Sequence, residues 1–158
     1  MTNTRIEISF NKVGRLADLE DLAEILFPGN RNQQHAFLVV WLALKWRPGI
    51  VPNLADAAAL HSVSRRTLER VRAKLRRLGL IEHVSRFSAR HGYRDGWILS
   101  ARFERSLRQL AAQVAALKDT QAGSHEKDQM LVGLAAVRRA ATLKRPQIGE
   151  SRDGGERS

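Results

Sequence analysis

The chain of 158 residues contains no cysteine and only four prolines, and aromatic residues make up 6% of it. The absence of cysteine excludes disulfide bonds, thiolate metal sites and a cysteine nucleophile. Long hydrophobic runs are missing too, since the longest, Ala36 to Leu44, is too short to cross a bilayer. The first residues, MTNTRIEISFNKVG, lack the apolar core of a signal peptide. We therefore expect a soluble, cytoplasmic protein with no membrane partner.

Acidic residues are few relative to basic ones. Lysine and arginine number 27 against 16 aspartates and glutamates, which gives a net charge of +11. The excess is concentrated in residues 54–100, which have 10 basic and 4 acidic groups, whereas residues 1–53 have 6 and 5. Such a balance favours a polyanionic partner, and nucleic acid is the commonest one.

The sequence contains few residue patterns that are typical of catalytic or metal-binding sites. The five histidines are scattered, and neither a His-Glu-x-x-His pattern nor a Gly-rich phosphate loop occurs. The acidic residues between Asp18 and Glu24 lie on a predicted helix, where they form its solvated face. No nucleophile, base and oxyanion donor can be named together. We therefore expect no enzymatic activity, no catalytic residue, no metal, no cofactor and no small-molecule effector.

The N-terminal third predicts two short elements followed by a buried helix. Apolar and polar residues alternate in Arg5 to Phe10, which is typical of a strand, and leucines at helical spacing predict a short helix that ends at Leu26. Residues 1–29 form an N-terminal extension to which we assign no role. From Arg31 to Trp46 the helix is apolar on most of its circumference, which predicts the centre of the core.

Two helices follow in the central segment. Asn53 is placed to cap a short alanine-rich helix that ends at Leu60. Ser64 is placed to cap a longer helix, Arg65 to Leu78. Gly79 follows where a left-handed residue commonly ends a helix.

A hairpin is predicted after these helices. Leu80 to Arg86 and Gly96 to Ser100 have the composition of strands, and Phe87 to Asp95 form the polar tip between them. Ile50 to Pro52 predict a short edge strand ahead of the helix pair.

The run NLADAAALHSVSRRTLERVRAKLRRLGLIEHV, which begins at Asn53, resembles the winged helix-turn-helix DNA-binding domains of bacterial transcription regulators. The matching pieces are the Leu54-Ala55 opening with Ala58 near the turn, the small polar turn into Ser64-Arg65-Arg66-Thr67-Leu68, and the exit from Leu75 to Ile81. The pattern is shared by many families and identifies no particular one. It implies a mainly α fold with a small β-hairpin wing: a winged helix-turn-helix at residues 30–100 with N-terminal and C-terminal helical extensions.

The resemblance implies that helix 65–78 enters the major groove of double-stranded DNA. Leu68, Val71, Leu75 and Leu78 share one face and should pack on the core, which turns the arginines outward. The predicted base-reading residues are Arg65, Arg66, Glu69 and Arg70. The predicted contacts to the DNA backbone are Ser62, Ser64, Thr67, Arg72, Lys74, Arg76 and Arg77. The predicted wing contacts, to phosphates or the minor groove, are Arg86, Arg90, His91 and Arg94.

The C-terminal part predicts helices with an apolar seam. Residues 101–144 form these helices, and residues 145–158 are expected to be a disordered tail. The seam suits a homodimer that reads two half-sites, although packing on its own domain is an equally open alternative. The seam residues recur at spacings of four and three: Phe103, Leu107, Leu110, Val114 and Leu117.

The function that these patterns favour is sequence-specific binding of double-stranded DNA by a transcription regulator, either a repressor or an autoregulator. Two alternatives stay open. One is an accessory protein for plasmid or phage replication or partition, which would use the same fold on repeated sites. The other is a winged helix that binds RNA or another protein.

Overall fold

The computed structural model describes residues 5–90, 92–118, 120 and 124–143. The described chain is mainly helical and contains one two-stranded antiparallel sheet. It divides into two compact units, residues 1–111 and 112–158, with the boundary inside a helix. The elements in chain order are α1 Phe10–Gly14, α2 Leu19–Leu26, α3 Arg31–Lys45, α4 Ala55–Leu60, α5 Arg65–Leu78, β1 Ile81–Ser88, β2 Gly92–Leu99, α6 Arg102–Leu117 and α7 Ser124–Leu143.

The strand predicted at Arg5 to Phe10 is wrong. Residues 5–9 form no helix or strand, and α1 begins at Phe10 behind the side-chain cap of Ser9. One backbone bond, from the Glu7 N–H to the Ile25 carbonyl at 2.9 Å, holds this segment beside the end of α2. Apolar and polar residues alternate here, but the apolar ones do not share a buried face. Ile8 is 54% exposed and Phe10 is 92% exposed.

Helix α3 is the central element of the first unit, as its apolar circumference predicts. Asn30 caps it by accepting a hydrogen bond from the Gln33 N–H at 3.1 Å. The helix packs against α2, α4, α5 and β2. Its buried residues are Ala36, Phe37, Val39, Val40 and Leu44.

Helix α5 spans the predicted residues. The Ser64 hydroxyl accepts a hydrogen bond from the Thr67 N–H at 3.2 Å, which satisfies a free amide of the first turn. At the other end Gly79 adopts φ 82°, a left-handed conformation that favours glycine. A side chain at Gly79 would also collide with Arg102, because its Cβ would lie 2.8 Å from the Arg102 Cβ. The glycine therefore both ends α5 and lets the start of α6 approach it.

The hairpin is longer than predicted. β1 and β2 pair from Ile81 opposite Leu99 as far as Ser88 opposite Gly92, so the ladder includes most of the expected tip. The edge strand predicted at Ile50 to Pro52 is reduced to a single bridge, in which Val51 and Trp97 exchange backbone hydrogen bonds of 3.0 and 2.9 Å. Gly96 makes this approach possible, because a Cβ there would collide with the Val51 carbonyl oxygen.

The C-terminal helices begin at Arg102 and Ser124. The tail predicted at residues 145–158 lies outside the described residues, as does the wing residue His91. Within the part of the chain that the structure describes, no helix has the length and apolarity that a membrane span needs.

Candidate nucleic-acid interface

Helix α5 has one buried side and one cationic side. Leu68, Val71 and Leu75 are at most 4% exposed and belong to the core. The residues that the helical period turns away from this core are all exposed, and we call them the outer face of α5. They are Arg65, Arg66, Glu69, Arg70, Ala73, Arg76 and Arg77.

Arg66 and Arg70 are outer-face arginines that are available to bind a ligand. Both are exposed, and neither forms a hydrogen bond or ion pair with any other described residue. They lie four residues apart on the helix, which separates their Cα atoms by about 6 Å along its axis. Between them and the next turn, Ala73 is too small to obstruct a close approach. Each guanidinium group is thus available for a two-bond contact with a planar acceptor pair.

Arg65 and Glu69, both predicted to read bases, form an ion pair with each other. The Arg65 Nε lies 3.0 Å from the Glu69 Oε1. The Arg65 side chain is 91% exposed and the Glu69 side chain 50%. Water screens so open a pair, which is therefore weak. Either side chain can leave it for a stronger partner.

Small polar side chains gather at the start of α5. The hydroxyl groups of Ser64 and Thr67 lie 2.8 Å apart. Ser62 precedes them with φ 56°, an uncommon conformation for a residue other than glycine, and so makes the sharp turn out of α4. They line a hollow of about 180 Å³ together with Asn32 and His35.

The three hydroxyl residues of this hollow were predicted, but Asn32 and His35 were not. Both lie on α3, about thirty residues earlier in the chain, so only the packing of α3 against α5 brings them here. The His35 Nε2 is 3.1 Å from the His61 carbonyl oxygen, which fixes the ring beside the turn. No local pattern in the sequence signals this contact.

Lys74, which the sequence predicts to contact the DNA backbone, is buried in this structure and lies away from the outer face of α5. Lys74 is only 4% exposed, and its Nζ donates a hydrogen bond of 2.6 Å to the Arg5 carbonyl. The Nζ also lies 4.6 Å from the centre of the Phe27 ring. Burial lowers the pKa of Lys74 below its ordinary value. The helical period places Lys74 at the edge of the buried side of α5. The N-terminal segment covers that edge and so buries the lysine.

Arg72 is half-buried and lies against the base of the hairpin. Its guanidinium carbon is 5.0 Å from the centre of the Trp97 ring, and the His83 ring meets the same indole edge-on at 4.9 Å. Trp97 itself is 9% exposed. Arg72 therefore joins α5 to β2, in addition to the phosphate contact predicted for it.

The end of the hairpin brings two side-chain pairs together, and we call residues 86–90 and 92–94 the hairpin tip. Arg86 stands directly opposite Arg94, and Phe87 directly opposite Tyr93. The two aromatic side chains are 77% and 68% exposed. Arg90, in the turn, is exposed as well. The predicted wing contacts include the arginines but not the aromatic pair that flanks them.

Four of the five predicted dimerisation residues are exposed on α6. Phe103 differs, because it is half-buried against the core of the first unit. The four others are between 37% and 83% exposed and form what we call the α6 stripe. They are Leu107, Leu110, Val114 and Leu117.

No protein-family model matches this chain, and comparisons with curated proteins and with solved structures found no match either.

Proposed function

We propose that this protein binds double-stranded DNA in a sequence-specific manner and regulates transcription, with α5 in the major groove. The observation that carries the proposal is the pair of exposed arginines Arg66 and Arg70, which have no hydrogen-bond or ion-pair partner among the described residues. They lie on a helix whose opposite side is fixed in the core. The major groove is about 12 Å wide and admits one helix, and arginine bonds both acceptors of a guanine edge.

The finer fold assignment, a winged helix-turn-helix, is part of the proposal. Its support is the order of the elements: α3, the bridge at Val51, then α4, α5 and the hairpin. In such a domain the second helix of the pair enters the major groove, and the hairpin is the wing that reaches the neighbouring phosphates. The concentration of positive charge in residues 54–100 fits that arrangement.

The start of α5 supplies a second kind of contact. The N-terminal turn of a helix attracts anions, because its free N–H groups and the helix dipole point toward them. Ser62, Ser64 and Thr67 surround that turn and offer hydroxyl donors. In our proposal these residues and Arg76 bind phosphates and set the position of α5 on the duplex, while Arg66 and Arg70 read bases.

We further propose that the protein acts as a homodimer through the α6 stripe. The four stripe residues repeat at three and four positions, the spacing at which two helices pack side by side. Two copies related by a twofold axis read two half-sites on one duplex.

The experiment that tests this role is a selection of bound fragments from genomic and random duplex DNA with the full-length protein. We expect a recurring sequence that the protein prefers by a factor of about 10³ or more over random duplex, with an affinity that falls steeply as salt rises. Binding without any preferred sequence contradicts the regulator role. Repeated selected sites beside a replication origin, rather than sites at promoters, would instead assign the protein to replication or partition.

One observation favours a protein-binding role as the second candidate. An open groove of about 640 Å³ lies between α3 and α4, and its lining includes Leu38, Leu42 and Leu60. Leu60 is 80% exposed, which is unusual for a leucine beside other apolar residues. If this groove is the functional surface, the duplex selection returns no preferred sequence.

A further inference from the structure

The hairpin tip has two chemically different faces. Residues that stand opposite each other in an antiparallel pair share a face, and successive pairs point to alternate faces. Arg86 and Arg94 therefore lie on one face, and Phe87 and Tyr93 on the other. The tip is thus a narrow ribbon with a cationic side and an aromatic side.

Within the part of the chain that the structure describes, no carboxylate pairs with Arg86 or Arg94 on the cationic face. Like charges directly across a strand pair destabilise it. The hairpin sequence contains two carboxylates, and both are engaged elsewhere. Glu82 accepts a hydrogen bond of 3.2 Å from the Ser100 hydroxyl and lies 3.7 Å from the Arg102 Nε, and Asp95 lies 3.6 Å from the His83 Nε2. The arginine pair can therefore be neutralised by an external anion.

The two rings on the aromatic face of the tip lie outside the core and are mostly exposed. Trp97, on the same face, is packed into the core, but Phe87 and Tyr93 lie two alternate positions further along their strands. That places them about 13 Å beyond the Trp97 level, out of reach of the core. Two large rings held side by side and exposed at a loop end are positioned to contact something outside the molecule.

A DNA duplex matches both faces at once. Its phosphates neutralise arginines, and its base pairs present apolar surfaces wherever a step is opened. The minor groove, about 6 Å wide, is too narrow for a whole hairpin but admits inserted side chains. An acidic protein surface would satisfy the arginines and leave the rings without a stacking partner. The charge and the rings together thus favour the duplex.

We propose that the hairpin tip is a wedge that distorts DNA: Phe87 and Tyr93 insert at a base step of the minor groove, while Arg86 and Arg94 bind the flanking phosphates. This inference rests on the proposed DNA-binding function. It adds a second activity to it, because inserted apolar side chains unstack a step and bend the duplex by about 20–90°. The protein then recognises deformable steps beneath the tip as well as the bases under α5.

The test uses the full-length protein and a duplex with the selected site. The duplex carries a fluorescent donor and acceptor at its ends, and 2-aminopurine replaces one base at successive positions of the flank. We expect saturating protein to raise the 2-aminopurine emission at one step and to shorten the end-to-end distance. Both signals should vanish in the Phe87→Ala, Tyr93→Ala double variant, although it still saturates the duplex at higher concentration.

Two control variants separate the rings from the charges. Phe87→Tyr with Tyr93→Phe keeps both rings and should keep both signals. Arg86→Gln with Arg94→Gln should keep the signals at saturation while reducing the salt slope of log K by about 1.8, since each phosphate contact contributes about 0.9. All the substituted side chains are exposed, so thermal unfolding by circular dichroism should give the wild-type midpoint for every variant.

Wild-type protein that binds its preferred duplex but leaves it straight and stacked overturns the wedge and leaves the regulator role intact. Loss of the regulator role is a separate outcome, because the selection then yields no preferred duplex. Single-stranded RNA that displaces the duplex in a manner dependent on Phe87 and Tyr93 would also overturn the wedge and assign the rings to stacking on unpaired bases.

Discussion

The guanidinium group of Arg72 lies 5.0 Å from the centre of the Trp97 indole ring. This contact joins the middle of α5 to the base of β2. Trp97 also exchanges backbone hydrogen bonds with Val51, so a single residue connects the helix, the hairpin and the segment that follows α3. The relative positions of the outer face of α5 and the hairpin base thus depend on packing around Trp97.

Replacing Arg72 by Met tests this connection. Met keeps an apolar stem and removes the charge above the indole. We therefore expect the free energy of unfolding, measured in urea, to fall by about 0.5–1 kcal/mol. The matched control is Arg76→Met, an exposed outer-face arginine one turn away, for which the change should stay within about 0.5 kcal/mol. Equal effects of the two substitutions would mean that the contact with Trp97 contributes nothing.

The burial of Lys74 predicts that it takes no part in DNA binding. Lys74→Met should leave the salt dependence of binding to the preferred duplex unchanged, because the Nζ already donates to the Arg5 carbonyl. Arg76→Met removes an exposed cation from the same helix and should reduce the slope of log K against log salt by about 0.9. A reduced slope for Lys74→Met would show that this side chain leaves its buried site and reaches a phosphate.

The lowered pKa of Lys74 predicts a pH dependence of stability. Its ordinary pKa is 10.5 and burial lowers the value in the folded state, so between the two values the unfolded chain binds more protons. The free energy of unfolding therefore rises with pH in that window. The measurement is urea unfolding at a series of pH values up to 10.5. The free energy of unfolding of the wild type minus that of Lys74→Met should increase along the series. A constant or decreasing difference argues against a desolvated ammonium.

The α6 stripe predicts a dimer that a charge disrupts. Leu110→Asp with Val114→Asp places two carboxylates on the packing surface, and sedimentation should show a monomer where the wild type is a dimer. Arg108→Asp changes an exposed α6 residue outside the stripe and should leave the dimer intact. A wild-type monomer at micromolar concentration contradicts the dimer.

Elements with strong local signals were predictable from the sequence, and contacts made at long range were not. The bounds of α5 followed from Ser64 and Gly79, which cap the helix whatever surrounds it. The burial of Lys74 depends on its contact with Arg5, which is sixty-nine residues away in the chain. The length of the hairpin was underestimated, because residues of the predicted polar tip, such as Arg94, join the ladder through backbone pairing that alternation does not reveal. Likewise the alternation from Arg5 to Phe10 predicted a strand, but no described strand lies alongside this segment.

The aromatic pair at the hairpin tip is a candidate site that the sequence alone did not reveal. Phe87 and Tyr93 are six residues apart in a stretch that looked like a polar loop. Only the register of β1 and β2 sets them opposite each other and on the face away from Arg86 and Arg94. A candidate site can thus arise from residues that are individually unremarkable in sequence.

The central claim is that Arg66 and Arg70 read bases. The most direct measurement is the affinity of Arg66→Ala and of Arg70→Ala for the preferred duplex and for a scrambled duplex at the same salt, with Arg15→Ala as the charge-matched control outside α5 and the hairpin. We predict that each α5 substitution reduces the discrimination between the two duplexes by about 1–3 kcal/mol, while the control leaves it unchanged. Equal losses on both duplexes would contradict base reading by α5.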